Sequence, residues 1–178
     1  MNANQMFTES ISEKEKFWTE QAENIEWFKK PTKILTDDGT NYPTWFEDGE
    51  LNTCFLAVDK HVNDGFGEQT AIIYDSPVTN RIIKYTYSQV LEHVSKFAGG
   101  LKKLGLEKGD TAIIYMPMIP ESVFAMLACA RLGVTHSVVF GGFAPQELAI
   151  RIDDCNPKAI ITASSGMEVS RRIPYLPF

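Results

Sequence analysis

The chain has 178 residues, a formal net charge of −6, 44% hydrophobic residues and 22% charged residues. This composition is typical of a soluble globular chain of one domain or slightly more, and it disfavours disorder and membrane residence. Because the balance is acidic and no face is obviously basic, nucleic acid is excluded as a main partner.

Residues 1–60 are predicted to be a helical and irregular segment that wraps over a neighbouring domain. Ser12 and Glu15 fit a capping box at the start of a helix that runs to Ala22. An irregular stretch rich in aromatic residues follows, interrupted by prolines and glycines. The N-terminus has neither the apolar run of a secretory signal nor an Arg-rich transit pattern, and no stretch approaches the roughly 20 apolar residues of a membrane span.

The cysteines bear on the cellular compartment. Cys54, Cys129 and Cys155 are scattered and form no CxxC pair, which indicates a reducing environment. Cys129 lies within an apolar helical pattern and is predicted to be a core residue. We therefore expect a cytoplasmic protein, with the mitochondrial matrix as the alternative compartment.

From residue 61 to 178 the pattern predicts the opening part of a larger α/β domain. Ala71–Tyr74 and Ile82–Tyr87 form a hairpin around the turn DSPVTN, and Thr86 with Gln89 caps the helix that follows. Strands then alternate with helices, which indicates right-handed βαβ crossovers and a parallel sheet. The expected elements are strand Thr111–Tyr115, a helix from Pro120 to Gly133, strand Val134–Phe140, helix Pro145–Asp153, strand Ala159–Ala163, and a final polar turn with two arginines.

The fold class predicted is thus α/β, an incomplete parallel sheet behind the wrapping segment. We expect the chain to stop before the sheet is complete. Nothing would then cover the last strand, Ala159–Ala163, so the sheet would expose an edge and an apolar face. Self-association through this uncovered sheet is the expected consequence.

Three loops at the carboxyl ends of the strands are candidate ligand sites, because ligands of open parallel sheets bind there. Met116–Ile119 is a stiff exit with two prolines, and 141–143 holds two glycines before a phenylalanine. The loop 164–172 combines hydroxyls, a glycine and two arginines, whose forked guanidinium groups suit phosphate oxygens. The competing interpretations are a rigid turn for the first loop, a tight strand–helix turn for the second and a solvated polar loop for the third. No Walker loop or dinucleotide fingerprint is present.

No metal site is predicted. His61, His93 and His136 are far apart and lack metal-ligand spacing, and His93 is expected at the surface or boundary of a helix. No GxSxG elbow and no paired catalytic acids occur.

Long stretches of the chain resemble one family. The stretches WFEDGELNTCFLAVDKHV and KYTYSQVLEHVSKFAGGLKKLGLEKGD resemble the N-terminal part of AMP-forming acetyl-CoA synthetases, and IYMPMIPESVFAMLACARLGVTHSVVFGGFAPQELAIRIDDCNPKAIITAS resembles the start of their AMP-binding domain. The likeness covers about residues 5–178. Residues 1–60 correspond to the N-terminal segment and 61–178 to the start of the adenylate-forming domain. The stretch Ile73–Thr79 and the GMEVSR loop are most similar to propionate–CoA ligases.

The resemblance implies an enzyme that uses ATP, CoA and magnesium. A short-chain carboxylate, propionate or acetate, would react with ATP to an acyl-adenylate, and the thiol of CoA would then displace AMP. The positions corresponding to the family's CoA-nucleotide loop are Glu168, Val169, Ser170 and Arg171. Glu168 stands where acetate enzymes usually have a second arginine, so the phosphate contact would depend mainly on Arg171.

The family's ATP loop, acyl pocket, ribose-binding aspartate and catalytic lysine correspond to none of the 178 residues. We therefore assign no catalytic residue, and we expect the chain alone to be inactive and to bind no cofactor tightly. The alternative is a truncated, non-catalytic module that binds CoA, a nucleotide or a partner protein.

Overall fold

The computed structural model describes residues 2–39, 42–140, 145–168 and 171–175, without the side chains of Phe140 and Glu168. The chain divides into two compact units, Met1–Asn52 and Thr53–Phe178. The domain boundary predicted between residues 60 and 61 stays a prediction.

The first unit begins with two helices rather than one. Helix α1 spans Ala3–Ser12 and α2 spans Lys14–Ala22. The capping box predicted for Ser12 and Glu15 is wrong, because the Ser12 hydroxyl instead donates to the Thr8 carbonyl at 3.0 Å and α2 begins without a side-chain cap. The capping box forms earlier, where the Asn2 side chain accepts from the Gln5 amide and the Gln5 side chain accepts from the Asn2 amide.

Aromatic rings organise the rest of this unit. Strands β1 (Leu35–Thr36) and β2 (Thr44–Trp45) pair antiparallel. Ring centroids lie 5.8 Å apart for Trp18 and Trp45 and 5.5 Å apart for Trp27 and Phe46, which are distances of attractive aromatic packing. Among the described residues of this unit, only Phe17 and Ala22 are fully buried hydrophobics. The predicted wrapping role of the segment stays a prediction.

The second unit starts with a helical stretch over 53–66 that the sequence analysis did not predict. Two parts of it, Phe55–Asp59 and Val62–Phe66, have the wider π-helical hydrogen-bonding pattern. Gly65 leaves the helical conformation with φ of +87°, which is costly for any residue other than glycine.

The predicted hairpin and the helix after it are confirmed. Strands β3 (Thr70–Ser76) and β4 (Arg81–Thr86) pair antiparallel, with Ser76 opposite Arg81. Helix α3 spans Tyr87–Lys103, and Thr86 and Gln89 form the predicted capping box.

The parallel sheet is also confirmed. Its strands have the order β6-β5-β7, and both outer strands run parallel to β5. The elements are β5 (Thr111–Met116), α4 (Pro120–Leu132), β6 (Thr135–Phe140), α5 (Pro145–Cys155) and β7 (Ala159–Thr162). The polar turn predicted over 164–172 is instead an antiparallel ribbon of β8 (Ser165–Glu168) and β9 (Arg171–Pro174). Backbone pairing between the two strands overrides their polar composition.

The hydrophobic core lies around β5. Ala112, Ile113 and Ile114 are all completely buried, so both faces of this central strand are covered. Val90 and Val94 of α3 and Cys129 of α4 are buried as well, which confirms the predicted core position of Cys129. In the described part of the chain, no helix is long and apolar enough to cross a bilayer.

The outer strands of the sheet expose apolar side chains. Val138 on β6 is 55% exposed and Ile160 on β7 is 46% exposed. A polypeptide of these 178 residues is therefore expected to self-associate at micromolar concentration, because exposed strand edges and apolar side chains favour edge and face contacts. Sedimentation velocity should show oligomers, and the double variant V138E/I160K should shift the population toward monomer. A compact, cooperative monomer of the unmodified chain would contradict the expectation.

Candidate functional site

A cleft of about 530 Å³ opens at the carboxyl end of β5. Three segments of the second unit form it: the β3–β4 turn, the loop after β5, and the β8–β9 ribbon. The lining residues are Tyr74, Asp75, Ser76, Pro77, Val78, Thr79, Met116, Pro117, Met118, Ile119, Ser165, Gly166, Met167 and Tyr175. The structure thus brings together two of the three loops singled out from the sequence, Met116–Ile119 and the start of 164–172.

The ribbon is fastened to the end of β5 by close packing. The rings of Tyr115 and Tyr175 lie 5.0 Å apart, and the Tyr175 amide donates to the Ser164 carbonyl at 3.1 Å. A Cβ atom at Gly166 would stand 3.0 Å from Cε2 of Tyr175 and 3.1 Å from Cβ of Pro117. The ribbon backbone therefore approaches the β5 exit as closely as a glycine permits.

Two of the predicted binding residues, Glu168 and Arg171, lie at the far end of this ribbon. Arg171 is exposed and begins β9, and in the strand register it stands opposite Glu168, whose backbone ends β8. Val169 and Ser170 lie outside the described residues, as does the Gly-Gly-Phe loop 141–143. The assignment of Glu168, Val169, Ser170 and Arg171 to CoA stays a prediction.

The neighbouring arginine has a different environment. Arg172 Nε donates to the Ser165 hydroxyl at 2.7 Å, a bond that crosses the ribbon from one strand to the other. Because side chains alternate along a strand, Arg171 and Arg172 point to opposite faces of the ribbon. The two arginines, grouped together in the sequence analysis, are therefore not equivalent.

Two contributors to this region were missed from the sequence. Tyr175 was not considered, because a lone tyrosine after a proline gives no signal of its packing partner. The β3–β4 turn was recognised as a turn but not as a wall of a cleft. The turn is far in sequence from β5 and β8, so no local pattern predicts that these segments line one cleft.

Buried cysteines are poor candidates for chemistry. Burial raises the pKa of the Cys129 thiol to about 11. Burial also raises the pKa of Cys54, although the nearby Arg131 guanidinium acts in the opposite direction. Both thiols are therefore protonated at neutral pH and unreactive as nucleophiles.

Two of the histidines, His61 and His93, pack against aromatic rings. His93 stacks on Phe124 with ring centroids 4.8 Å apart, and His61 stacks on Tyr87 at 4.5 Å. His93 is largely exposed, as predicted for a helix boundary. Within the described ranges, no group of three or more His, Cys, Asp or Glu side chains could hold a metal ion.

An ion pair joins the 53–66 helical stretch to α4. The Arg131 guanidinium donates to the Asp59 carboxylate at 2.5 Å, and the two side chains are 27% and 19% exposed. The pair links residues 72 positions apart in the chain. Neither residue lines the cleft, so the pair has a structural role in this unit rather than a part in the candidate site.

Comparison with known proteins identifies the chain's relatives. Residues 59–175 match the family described as AMP-binding enzyme, and residues 3–57 match the acetyl-coenzyme A synthetase N-terminus. The human protein acyl-CoA synthetase short-chain family member 3, mitochondrial, is 52% identical over 171 residues, 96% of this chain and 25% of the human protein. The protein of the same name from rat is 50% identical over 171 residues, which are 96% of this chain and 25% of the rat protein.

A bacterial relative extends the range. The acetyl-coenzyme A synthetase of Pseudoalteromonas atlantica is 45% identical over 174 residues, 95% of this chain and 26% of that protein. The chain spans about a quarter of the length of the curated relatives it matches. The resemblance stated from the sequence is confirmed, and it includes the N-terminal segment of the acetyl-coenzyme A synthetase type. Because the AMP-binding enzyme model matches well over half of the residues, the chain belongs to the AMP-binding enzyme family.

Proposed function

We propose that the chain forms the N-terminal part of an AMP-forming short-chain acyl-CoA synthetase. The observation that supports this most directly is the order of the two family matches, an acetyl-coenzyme A synthetase N-terminus followed by an AMP-binding region, across 3–175. The proposed substrates are a short-chain carboxylate, ATP and CoA, and the products are acyl-CoA, AMP and pyrophosphate. Adenylation makes the carboxylate reactive, because AMP is a far better leaving group than oxide.

Within this reaction, we assign the chain a role in binding CoA. The proposed contact residues are Glu168, Val169, Ser170 and Arg171. Arg171 is exposed on a ribbon that follows the carboxyl end of β7, where open parallel sheets bind ligands. Its guanidinium can donate two parallel hydrogen bonds to a phosphate of the CoA nucleotide.

We assign no catalytic residue to the chain. By the family resemblance, the ATP loop, the ribose-binding aspartate and the catalytic lysine correspond to none of these 178 residues. Stabilising the charge that develops during transfer of the adenylyl group takes cations aimed at its phosphate, and Arg171 is assigned to CoA instead. A polypeptide of these 178 residues is accordingly proposed to be inactive by itself.

Propionate is the proposed carboxylate. In a family-length protein, meaning these 178 residues followed by the rest of a synthetase chain, kcat/KM for propionate should exceed that for acetate. The reason is the likeness of Ile73–Thr79 and of the 166–171 loop to propionate–CoA ligases, and one methylene in an apolar pocket contributes about 1–3 kcal/mol. Pyrophosphate release with each acid in turn provides the measurement.

The 178-residue polypeptide serves as the control in the same assay. Its turnover should not exceed that of a heat-inactivated sample, and a clear excess would contradict the proposed inactivity. A higher kcat/KM for acetate would overturn the propionate preference and leave the family-level proposal intact. If the polypeptide binds CoA without turnover and the family-length protein is also inactive, the non-catalytic CoA-binding module becomes the better description.

The cytoplasm is the proposed compartment, on the pattern of scattered cysteines that the structure leaves unpaired. The mitochondrial matrix is the alternative, since the name of the human relative includes a mitochondrial location. Fluorescent tagging at residue 178, which leaves the N-terminus unmodified, would distinguish the two.

A further inference from the structure

We infer that Tyr175 is a positioning residue for Arg171. The inference rests on the proposed CoA-binding role of Arg171 and extends it to a residue outside the assigned contacts. Its basis is the way in which a short two-stranded ribbon is held against the end of β5. An isolated two-stranded ribbon is only marginally stable in water, so its geometry depends on packing against the rest of the fold.

The first observation is that Tyr175 holds the ribbon at its base. Its ring packs on Tyr115 of β5 with the centroids 5.0 Å apart, and its amide donates to the Ser164 carbonyl. Tyr115 belongs to the central strand, whose residues Ile113 and Ile114 are completely buried. The ring contact therefore connects the ribbon to the buried central strand of the sheet.

The second observation is the tight fit at Gly166. Ser165 stands opposite Pro174 and Gly166 opposite Ile173 in the ribbon, so both strands begin their pairing beside Tyr175. Gly166 lies against the Tyr175 ring and Pro117, and an added carbon atom would require these neighbours to shift by a few tenths of an ångström. Ring, proline and glycine backbone thus form one packed base from which the two strands extend.

The third observation is the register between this base and Arg171. The pairing runs without a shift from Ser165 opposite Pro174 to Glu168 opposite Arg171. A rotation or slip of the ribbon at its base is transmitted through this ladder to the position of Arg171. A forked guanidinium binds phosphate with demanding geometry, so a displacement of this kind weakens binding without removing the charge.

The test uses the family-length protein and two readouts. In Tyr175→Ala the KM for CoA should rise about 3- to 10-fold. This is smaller than the roughly 10- to 100-fold rise expected when the charge-assisted hydrogen bond of Arg171 is lost completely, because the charge is displaced and not removed. The rate of ATP–pyrophosphate exchange, which reports the step before CoA reacts, should stay near that of the unmodified protein. Tyr175→Phe retains the ring and should restore the KM for CoA.

Gly166→Ala supplies a second variant should Tyr175→Ala fail to fold. Its added methyl group would press on the Tyr175 ring and Pro117, so it should raise the KM for CoA in the same direction. An unchanged KM for CoA in Tyr175→Ala, or equal losses of exchange and thioester formation, would overturn the inference. So would a Tyr175→Phe variant as impaired as Tyr175→Ala.

Failure of the inference is distinguishable from failure of the proposed function. If Arg171→Ala raises the KM for CoA while Tyr175→Ala does not, CoA binding at the ribbon stands and the positioning role falls. If Arg171→Ala leaves the KM for CoA unchanged, the proposed CoA contact itself is wrong, and the role of Tyr175 falls with it.

Discussion

Replacing Arg171 by alanine in the family-length protein should raise the KM for CoA about 10- to 100-fold, since a charge-assisted hydrogen bond to phosphate is worth roughly 1.5–3 kcal/mol. Adenylate formation should be nearly unaffected, because CoA reacts only in the second half of the proposed reaction. ATP–pyrophosphate exchange measured beside CoA-dependent thioester formation separates the two steps. Glu168→Arg should lower the KM for CoA, since it adds a cation opposite Arg171 in the ribbon.

A matched control is available in the same unit. Arg81 is the first residue of β4, as Arg171 is the first residue of β9, and both arginines are exposed. Arg81→Ala removes the same charge from a strand that is not assigned to CoA, and it should leave the KM for CoA unchanged. If Arg171→Ala damages exchange as much as thioester formation, the ribbon has a structural role and its assignment to CoA is wrong.

Replacing Ile113 by alanine should lower the free energy of unfolding by about 2–5 kcal/mol, the usual loss when a large aliphatic side chain is removed from a core. Ile113 is completely buried on the central strand of the sheet. Loss of three carbon atoms there leaves a cavity that neighbours on both flanking strands can close only in part. Urea denaturation followed by circular dichroism, at a concentration below self-association, gives the difference.

The control for this experiment is the register partner of Ile113. Ile160 on β7 pairs directly with Ile113, but 46% of its surface is exposed. Ile160→Ala should cost about 1 kcal/mol or less, because nearly half of the Ile160 surface is already in contact with water. If the two variants lose similar free energies of unfolding, Ile113 and Ile160 do not differ in burial as the structure indicates.

Much of the second unit could be predicted from the sequence because its local signals agree with its tertiary structure. Thr86 with Gln89 and Gly133, which has φ of +72°, mark helix ends by backbone chemistry that acts over a few residues. The apolar run at Thr111–Met116 identifies a strand buried on both faces. These signals lie within the elements themselves, so no knowledge of distant contacts was needed.

The errors arise where the decisive contact is distant or where two local signals compete. Ser12 and Glu15 fit the pattern of a capping box, but Asn2 and Gln5 form one earlier in the chain. Ser12 is therefore the last residue of the helix that begins at Ala3, and not the cap of the next helix. The ribbon was taken for a turn because serines and arginines are poor indicators of a strand. The ribbon is also packed on β5 through the contact of Tyr175 with Tyr115, which no local pattern predicts.

The candidate site was recovered in the same partial way. Family resemblance directed attention to Arg171, which the structure places exposed at the start of β9. The resemblance assigns the phosphate contact to Arg171, but neither resemblance nor composition shows that the two arginines lie on opposite faces of the ribbon, with Arg172 bonded to Ser165. That distinction comes from the alternation of side chains along a strand, and it required the strand to be known first.

The ion pair between Asp59 and Arg131 has a consequence for the order in which the chain folds during its synthesis. Its two members are 72 residues apart, so the ribosome must translate the hairpin, α3, β5 and nearly all of α4 before the carboxylate can meet its guanidinium. Until Arg131 has been synthesised, Asp59 of the 53–66 stretch lacks its ion-pair partner. The π-helical turns of this stretch are then less stable than in the folded unit. Docking of the stretch should therefore be a late step in the appearance of the nascent second unit, since contacts of long sequence separation form slowly.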